Sequence, residues 1–311
     1  MIKKIRGIMP VMLTPFTQND TIDWDGLEAL IDWYIEHGAE ALFAVCQSSE
    51  MQFLSLQERC DLASYTVKKV ACRVPVIASG HVSTNVQDQL TELNAMAETG
   101  VDALILVTNR LDSENRGFAV LRESVERILN DMPNNISLGI HECPVPFRRL
   151  LTNDEIEYLA DNPRFVTLKD VSCDLGIIKQ RLELAKGSNL LINNANAAIA
   201  HQALIAGADG FCGVFNNFHP DLYRWLQDNW LSQPDLANEL AVFLALAAST
   251  EYMGYPKLAK IYHQRLGTFK NSHSRALNEN IHEKFWAVDE ILEKISAGTA
   301  HYRNKISALE T

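Results

Sequence analysis

Eight alternations of a short apolar stretch with an amphipathic stretch constrain the fold of this chain more than any other feature of its sequence. Strands are predicted at residues 8–13, 41–45, 75–78, 103–107, 136–140, 165–168, 190–192 and 210–214. The first helix is predicted to start at Asp23 or Asp25 and to end near His37, and the other seven at 56–70, 86–98, 117–130, 153–160, 175–184, 197–206 and 220–230. Because strands that alternate with helices form parallel sheets, eight such units in about 230 residues predict a TIM (β/α)8 barrel.

A doubly wound open sheet is the competing architecture for such an alternation. It usually carries a glycine-rich turn after its first strand, whereas Thr14-Pro15-Phe16 follows the first strand here. We therefore predict a barrel at residues 1–232. Past a break at 232–234 the pattern indicates helices only, at 240–248, 257–265 and 281–295. This tail is small for an independent core, so residues 233–311 are predicted to form a C-terminal helical extension packed on the barrel.

Net charge, apolar run length and cysteine spacing argue against several classes of partner and site. The formal net charge of −11 argues against a nucleic-acid partner, and no apolar run approaches the length of a membrane span. The basic start at residues 1–6 leads into no apolar segment, so no signal peptide is predicted. The six cysteines form no C-x-x-C pair, which argues against a zinc site or a redox dithiol. A cytoplasmic protein with reduced thiols is expected.

The sixth strand ends on a lysine, Lys169, followed by Asp170. Burial lowers the pKa of an amine because the charged form loses its water, and a neutral amine can form a Schiff base with a ketone. Catalytic groups of TIM barrels lie at the carboxyl ends of the strands. We therefore interpret Lys169 as a nucleophile, against the alternative of a structural ion pair with Asp170.

The same strand-end rule selects the other candidate site residues. Substrate-binding candidates are Gln47, Ser48 and Ser49 after strand two, Arg110 after strand four and Cys212 in strand eight. His141 at the end of strand five is the acid–base candidate because an unperturbed imidazole titrates near neutral pH. Each has a plain alternative: turn serines, a surface arginine, a small packing cysteine, and a histidine that only forms hydrogen bonds.

Several short motifs, in this order and spacing, resemble the pyruvate-dependent class I aldolases that include dihydrodipicolinate synthase and N-acetylneuraminate lyase. They are Thr14-Pro15-Phe16, Val74-Pro75-Val76-Ile77-Ala78, Leu168-Lys169-Asp170, and Gly207-Ala208-Asp209-Gly210 followed by Asn217. The resemblance covers nearly the whole chain. It implies a TIM barrel with C-terminal helices, commonly a homotetramer, and a Schiff base between Lys169 and pyruvate or another 2-oxo acid, with no metal or cofactor.

The chain departs from the family pattern at three positions that carry proton transfer or substrate contacts. Gln47 stands where a relay hydroxyl is usual, and His141 where the acid–base tyrosine is usual. Arg110 falls near the place of a tyrosine pair. An arginine that contacts substrate in the family has Arg148 or Arg149 as its nearest match. These departures disfavour dihydrodipicolinate synthase itself.

The sequence thus predicts a Schiff-base-forming lyase, an aldolase or a dehydratase, that acts on a 2-oxo acid. The favoured substrate is a 2-oxo-3-deoxy sugar acid, or pyruvate plus an aldehyde. The partners expected are this small molecule and further copies of the chain, as a dimer or tetramer. The alternatives are a non-catalytic 2-oxo-acid sensor, dihydrodipicolinate synthase, and a metal-dependent barrel lyase.

Overall fold

The computed structural model describes residues 4–309, and in this range eight parallel strands form one curled sheet. The strand order is β1–β8–β7–β6–β5–β4–β3–β2. The strands are β1 Gly7–Ile8, β2 Leu42–Val45, β3 Val76–Ala78, β4 Ala103–Val107, β5 Ser137–His141, β6 Phe165–Asp170, β7 Leu191–Asn194 and β8 Gly210–Phe211. The predicted (β/α)8 barrel is confirmed.

The barrel closes where the chain after β1 meets β2. The amide of Met12 donates to the carbonyl of Phe43, and the amide of Phe43 donates to the carbonyl of Pro10, both at 3.0 Å. Apolar side chains fill the interior of the barrel, among them Phe43, Ile105 and Val166. A larger apolar layer lies between the sheet and the surrounding helices.

Helices follow the strands, and several of them begin at a polar residue whose side chain caps the helix. Asp23 accepts a hydrogen bond from the amide of Gly26, and Ser55 and Thr152 each form a capping box. The helices that belong to the alternation are α1 Trp24–Glu36, α2 Leu56–Val70, α3 Val86–Ala97, α4 Thr108–Leu111, α5 Phe118–Asp131, α6 Asn153–Ala160, α7 Leu175–Leu184, α8 Ala200–Ile205 and α9 Pro220–Asn229. The short α4 lies directly after β4 and had no counterpart in the sequence prediction.

The predicted limits of the first and last strands need correction. The first strand was expected at 8–13, but the regular ladder ends at Ile8 and only Val11 pairs again further on. Pro10 interrupts it because proline has no amide hydrogen to donate. The eighth strand was expected to reach residue 214, but it ends at Phe211. There the side-chain amide of Asn216 donates hydrogen bonds to the carbonyls of Met9 and Phe211, at 3.2 and 3.0 Å.

The chain after residue 233 contains helices that pack on the barrel. The helices are α10 Pro234–Ala248, α11 Lys257–Arg265, α12 Ile281–Lys284 and α13 Val288–Ser307. The helix predicted at 281–295 is two helices, because the chain is extended at Phe285. The division into 1–232 and 233–311 stays a prediction, and its outer ends lie outside the described residues, as does part of the basic start at 1–6. None of the described helices is long and apolar enough to cross a membrane.

Because several histidines are buried, we expect the unfolding free energy to fall in mild acid. Burial lowers the pKa of His219 from 6.5 to about 3. Since the unfolded chain binds this proton near pH 6.5 and the folded chain does not, the stabilisation is present above pH 6.5 and is lost as the pH falls toward 3. One such group accounts for roughly 2 kcal/mol of unfolding free energy between pH 6.5 and 5. Urea unfolding should therefore show a shallower pH dependence for His219→Phe. The same change at exposed His301 is the control, and equal slopes for both variants would contradict this account.

Candidate functional site

A cavity of about 720 Å³ opens at the carboxyl ends of the strands, where catalytic groups of TIM barrels lie. Lys169 at the end of β6 and His141 at the end of β5 both line it, and the two residues are direct partners in the parallel ladder. Gln47 and Ser48 after β2 and Cys212 after β8 also line it. The structure thus brings five of the seven predicted site residues to one cavity.

The ammonium group of Lys169 is held without an ionic partner among the described residues. Its Nζ lies 5.8 Å from the centre of the Phe43 ring. Asp170, the alternative partner considered from sequence, points to the other face of the strand, because successive residues of a strand alternate. The carboxylate of Asp170 pairs instead with Arg181. The alternative of a structural ion pair between Lys169 and Asp170 is therefore excluded, and the interpretation of Lys169 as a nucleophile stays a prediction.

Arg181 joins the ends of β5 and β6 behind the cavity. Its guanidinium donates to Glu142 at 2.6 and 2.9 Å as well as to Asp170, and all three side chains are buried. Glu142 also accepts from the amides of Leu151 and Val171, at 2.7 and 3.0 Å. Burial raises the pKa of Glu142, although Arg181 acts in the opposite direction. Because these four hydrogen bonds occupy its carboxylate and it does not line the cavity, Glu142 is a scaffold residue rather than a proton carrier for the cavity.

His141 is buried against the cavity with both ring nitrogens unpaired among the described residues. Its ring lies 5.8 Å from that of Phe43 in an edge-to-face arrangement. Burial, helped by the charge of Lys169, lowers the pKa of His141 well below 6.5. The expectation that it titrates near neutrality is therefore wrong, since the sequence does not reveal its burial. A neutral imidazole here is free to accept a proton or a hydrogen bond.

Ser49 and Arg110 are the two predicted site residues that do not line the cavity. The hydroxyl of Ser49 accepts from the amide of Cys46 at 2.8 Å and donates to its carbonyl at 2.7 Å, so it closes the turn after β2. Arg110 lies in α4, and its carbonyl accepts from Gln89 at 3.1 Å. Gln47, which does line the cavity, accepts from the thiol of Cys143 at 3.2 Å.

The two arginines after β5 also lie outside the cavity. Arg149 is buried between Asp112 and Glu155, at 3.0 and 2.6 Å. Arg148 donates to the carbonyl of Val171 at 3.1 Å on the protein surface. Neither side chain lines the cavity. Strand-end position alone could not show this, because the side chains of the eleven-residue loop 142–152 can point in many directions.

The C-terminal extension completes the cavity with residues that sequence reasoning missed. Glu251, Tyr252 and Tyr255 line it from the segment between α10 and α11. The hydroxyl of Tyr255 accepts from Asn217 at 3.0 Å, and burial raises the pKa of Tyr255 well above 10 even though Ser48 hydrogen-bonds to it. Sequence reasoning missed these residues because no local pattern in residues 249–256 shows that the segment lies against the carboxyl ends of the strands.

Burial also governs the thiols around Lys169. It raises the pKa of Cys212 to about 12 and that of Cys46 above 9, so neither is a thiolate at neutral pH. Among the described residues, no group of three or more His, Cys, Asp or Glu side chains is placed to hold a metal ion. The arrangement therefore offers one amine, one imidazole, one free carboxyl group and several hydroxyls for chemistry.

The junction of β5 and β6 depends on Arg181. In Arg181→Met, two carboxylates lose their shared cation in a buried site, which typically costs about 3–5 kcal/mol of unfolding free energy. Urea denaturation followed by circular dichroism measures this loss. Arg127→Met is the matched control, since Arg127 pairs with Glu123 on the exposed face of α5 and such pairs contribute little. A loss no larger than in the control would contradict the role given to Arg181.

Comparison with known families gives one match that spans most of the chain. Residues 4–284 match the pattern described as the dihydrodipicolinate synthetase family. A similar curated relative is the 4-hydroxy-tetrahydrodipicolinate synthase of Polynucleobacter asymbioticus, with 26% identity over 209 residues. The alignment covers 67% of this chain and 62% of that protein, so the chain spans less than two thirds of this relative's length.

Solved structures of the same fold extend over nearly the whole chain. One is the chloride-inhibited dihydrodipicolinate synthase from Acinetobacter baumannii complexed with pyruvate, with 21% identity, a TM-score of 0.82, and coverage of 94% of this chain and 99% of that one. Another is CdNal from Clostridium difficile in complex with mannosamine, with 18% identity, a TM-score of 0.83, and coverage of 94% and 100%. At these identities the structures establish the shared fold.

Proposed function

We propose that this chain, which belongs to the dihydrodipicolinate synthetase family of lyases, is a Schiff-base-forming aldolase or dehydratase for a 2-oxo acid. One observation carries the proposal. Lys169 reaches the cavity at the carboxyl end of β6 without an ionic partner among the described residues, beside the unpaired imidazole of His141. A lysine held in this way can attack a ketone once it is deprotonated.

The proposed reaction begins when the neutral amine of Lys169 attacks the C2 carbonyl and water leaves. The resulting iminium draws electrons away from C3. In aldol cleavage a base takes the proton of the C4 hydroxyl, the C3–C4 bond breaks, and its electrons form an enamine while an aldehyde leaves. In dehydration a base removes a proton from C3, and the C4 hydroxyl leaves as water after it receives a proton. In the aldol route the base then returns the proton to C3 of the enamine, which regenerates the imine. Hydrolysis of the imine releases the product in either route and returns the free lysine.

His141 is the proposed proton acceptor for either route. It is the direct strand neighbour of Lys169, and its nitrogens have no other partner among the described residues. Ser48 and nearby backbone amides are proposed to bind the substrate carboxylate. Because Gln47 has no hydroxyl for a proton relay, His141 is proposed to transfer the proton itself.

The favoured substrate is a 2-oxo-3-deoxy sugar acid. The cavity is far larger than pyruvate needs, and the three arginines considered as substrate contacts, Arg110, Arg148 and Arg149, do not line it. A 2-oxo-acid sensor is the second candidate, because Gln47 and His141 replace relay residues of the family. Release of product would exclude the sensor. A homo-oligomer, dimer or tetramer, and a cytoplasmic location remain part of the proposal.

The direct test of turnover uses a panel of 2-oxo-3-deoxy sugar acids, with pyruvate release and 2-oxo-acid formation measured separately. Lys169→Arg should abolish product formation, because a guanidinium stays protonated and cannot attack a carbonyl. Circular dichroism of the variant should match that of the wild type. A Lys169→Arg protein that still forms product would refute the proposed chemistry.

His141→Phe should lower kcat by about 10²–10⁴-fold, which is the usual range for a general acid or base. Because burial lowers the pKa of His141, the wild-type rate should fall only on the acid side, well below pH 6.5, as the imidazole becomes protonated. The variant should lack this acid limb and should still form an imine at Lys169. If kcat and the pH profile are unchanged in the variant, His141 only packs or binds.

A further inference from the structure

The cavity contains one carboxyl group, contributed from outside the barrel. Glu251 lies in the 3-10 turn Ser249–Met253, between α10 and α11, and its side chain lines the same cavity as Lys169. These are the two charged residues in the cavity wall within the described part of the chain, apart from the neutral His141. The cavity therefore has one cationic and one acidic group and no arginine.

The carboxyl group of Glu251 is free to meet a ligand. It makes no hydrogen bond or ion pair with residues 4–309, while its backbone is fixed because its carbonyl accepts from the amide of Tyr255 at 3.0 Å. Burial raises the pKa of Glu251, and the positive charge of Lys169 opposes this rise. An imine formed on Lys169 keeps a positive charge when protonated, so this opposing effect on the pKa of Glu251 persists during the reaction.

The position of Glu251 has a consequence for substrate charge. Every 2-oxo acid brings one carboxylate, which is attached to the carbon that Lys169 attacks. A second carboxylate at the far end of the same substrate would enter a partly dehydrated cavity with Glu251 in its wall and no arginine to neutralise it. Like charges at such a site repel more strongly than in water. Hydroxyl groups, in contrast, can donate hydrogen bonds to a carboxylate.

Resting on the proposed function, we infer that Glu251 is a specificity-determining residue that excludes 2-oxo diacids and accepts 2-oxo acids with a neutral, hydroxyl-bearing far end. The substrate class is then the 2-oxo-3-deoxy aldonates rather than the corresponding aldarates. The C-terminal extension sets this choice, because it supplies the carboxylate, while the barrel supplies the reactive lysine.

The test compares two ligands of equal length that differ in one end group, 2-oxopentanoate and 2-oxoglutarate. Each is incubated with the full chain over a range of concentrations, reduced with borohydride, and the adduct at Lys169 is measured by intact mass. The wild type should trap 2-oxopentanoate at lower concentration. Glu251→Gln should improve trapping of 2-oxoglutarate relative to 2-oxopentanoate by about 10-fold, because one repulsive charge is removed. Glu251→Asp, which keeps the charge, should retain the wild-type preference.

Glu293→Gln is the matched control, because it removes the same charge from an exposed position of α13. It should leave the ratio unchanged, which separates a local effect from that of net charge. An unchanged ratio in Glu251→Gln, or an equal change in Glu293→Gln, would overturn the inference while an adduct at Lys169 still supports the proposed function. Absence of an adduct with either acid would overturn both.

Discussion

The buried ion pairs of Arg181 are the interaction on which the site depends. The guanidinium joins Glu142 at the end of β5 to Asp170 at the end of β6, behind the cavity. Because residues of a strand alternate between faces, fixing these two carboxylates outward turns their neighbours, His141 and Lys169, inward. A lysine and an imidazole that would each be costly to bury alone are thus presented side by side to a cavity.

The C-terminal extension is held to the barrel by a second buried charge pair and forms one wall of the cavity. Lys260 of α11 pairs with Glu50, which follows Ser48 and Ser49 in the turn after β2. Glu50 also accepts from the hydroxyl of Ser274 at 2.9 Å. Burial lowers the pKa of Lys260 to about 8. The same turn that presents Ser48 to the cavity therefore anchors the helices that bring Glu251 there.

The barrel could be predicted from the sequence because the patterns that indicate its strands and helices are local. Apolar strands, capped helices and strand-end polar residues are read from short windows, and they placed Lys169 and His141 correctly in one cavity. The errors arise where the answer depends on distant contacts. Burial lowers the pKa of His141. The hydroxyl of Ser49 is occupied by hydrogen bonds to the backbone of Cys46 within its own turn. Glu251 belongs to the C-terminal extension, which the sequence pattern predicts only to pack on the barrel. No local signal shows that the segment carrying Glu251 lies over the mouth of the barrel.

The most direct measurement of the central claim is peptide mapping after borohydride reduction with pyruvate. The account predicts one pyruvate-derived adduct per chain, on the peptide that contains Lys169, because that amine is the one presented to the cavity beside His141. Lys260, which is buried and paired with Glu50, is the internal comparison and should remain unmodified. An adduct on Lys260 or another lysine, or no adduct with pyruvate or any longer 2-oxo acid, would contradict the account.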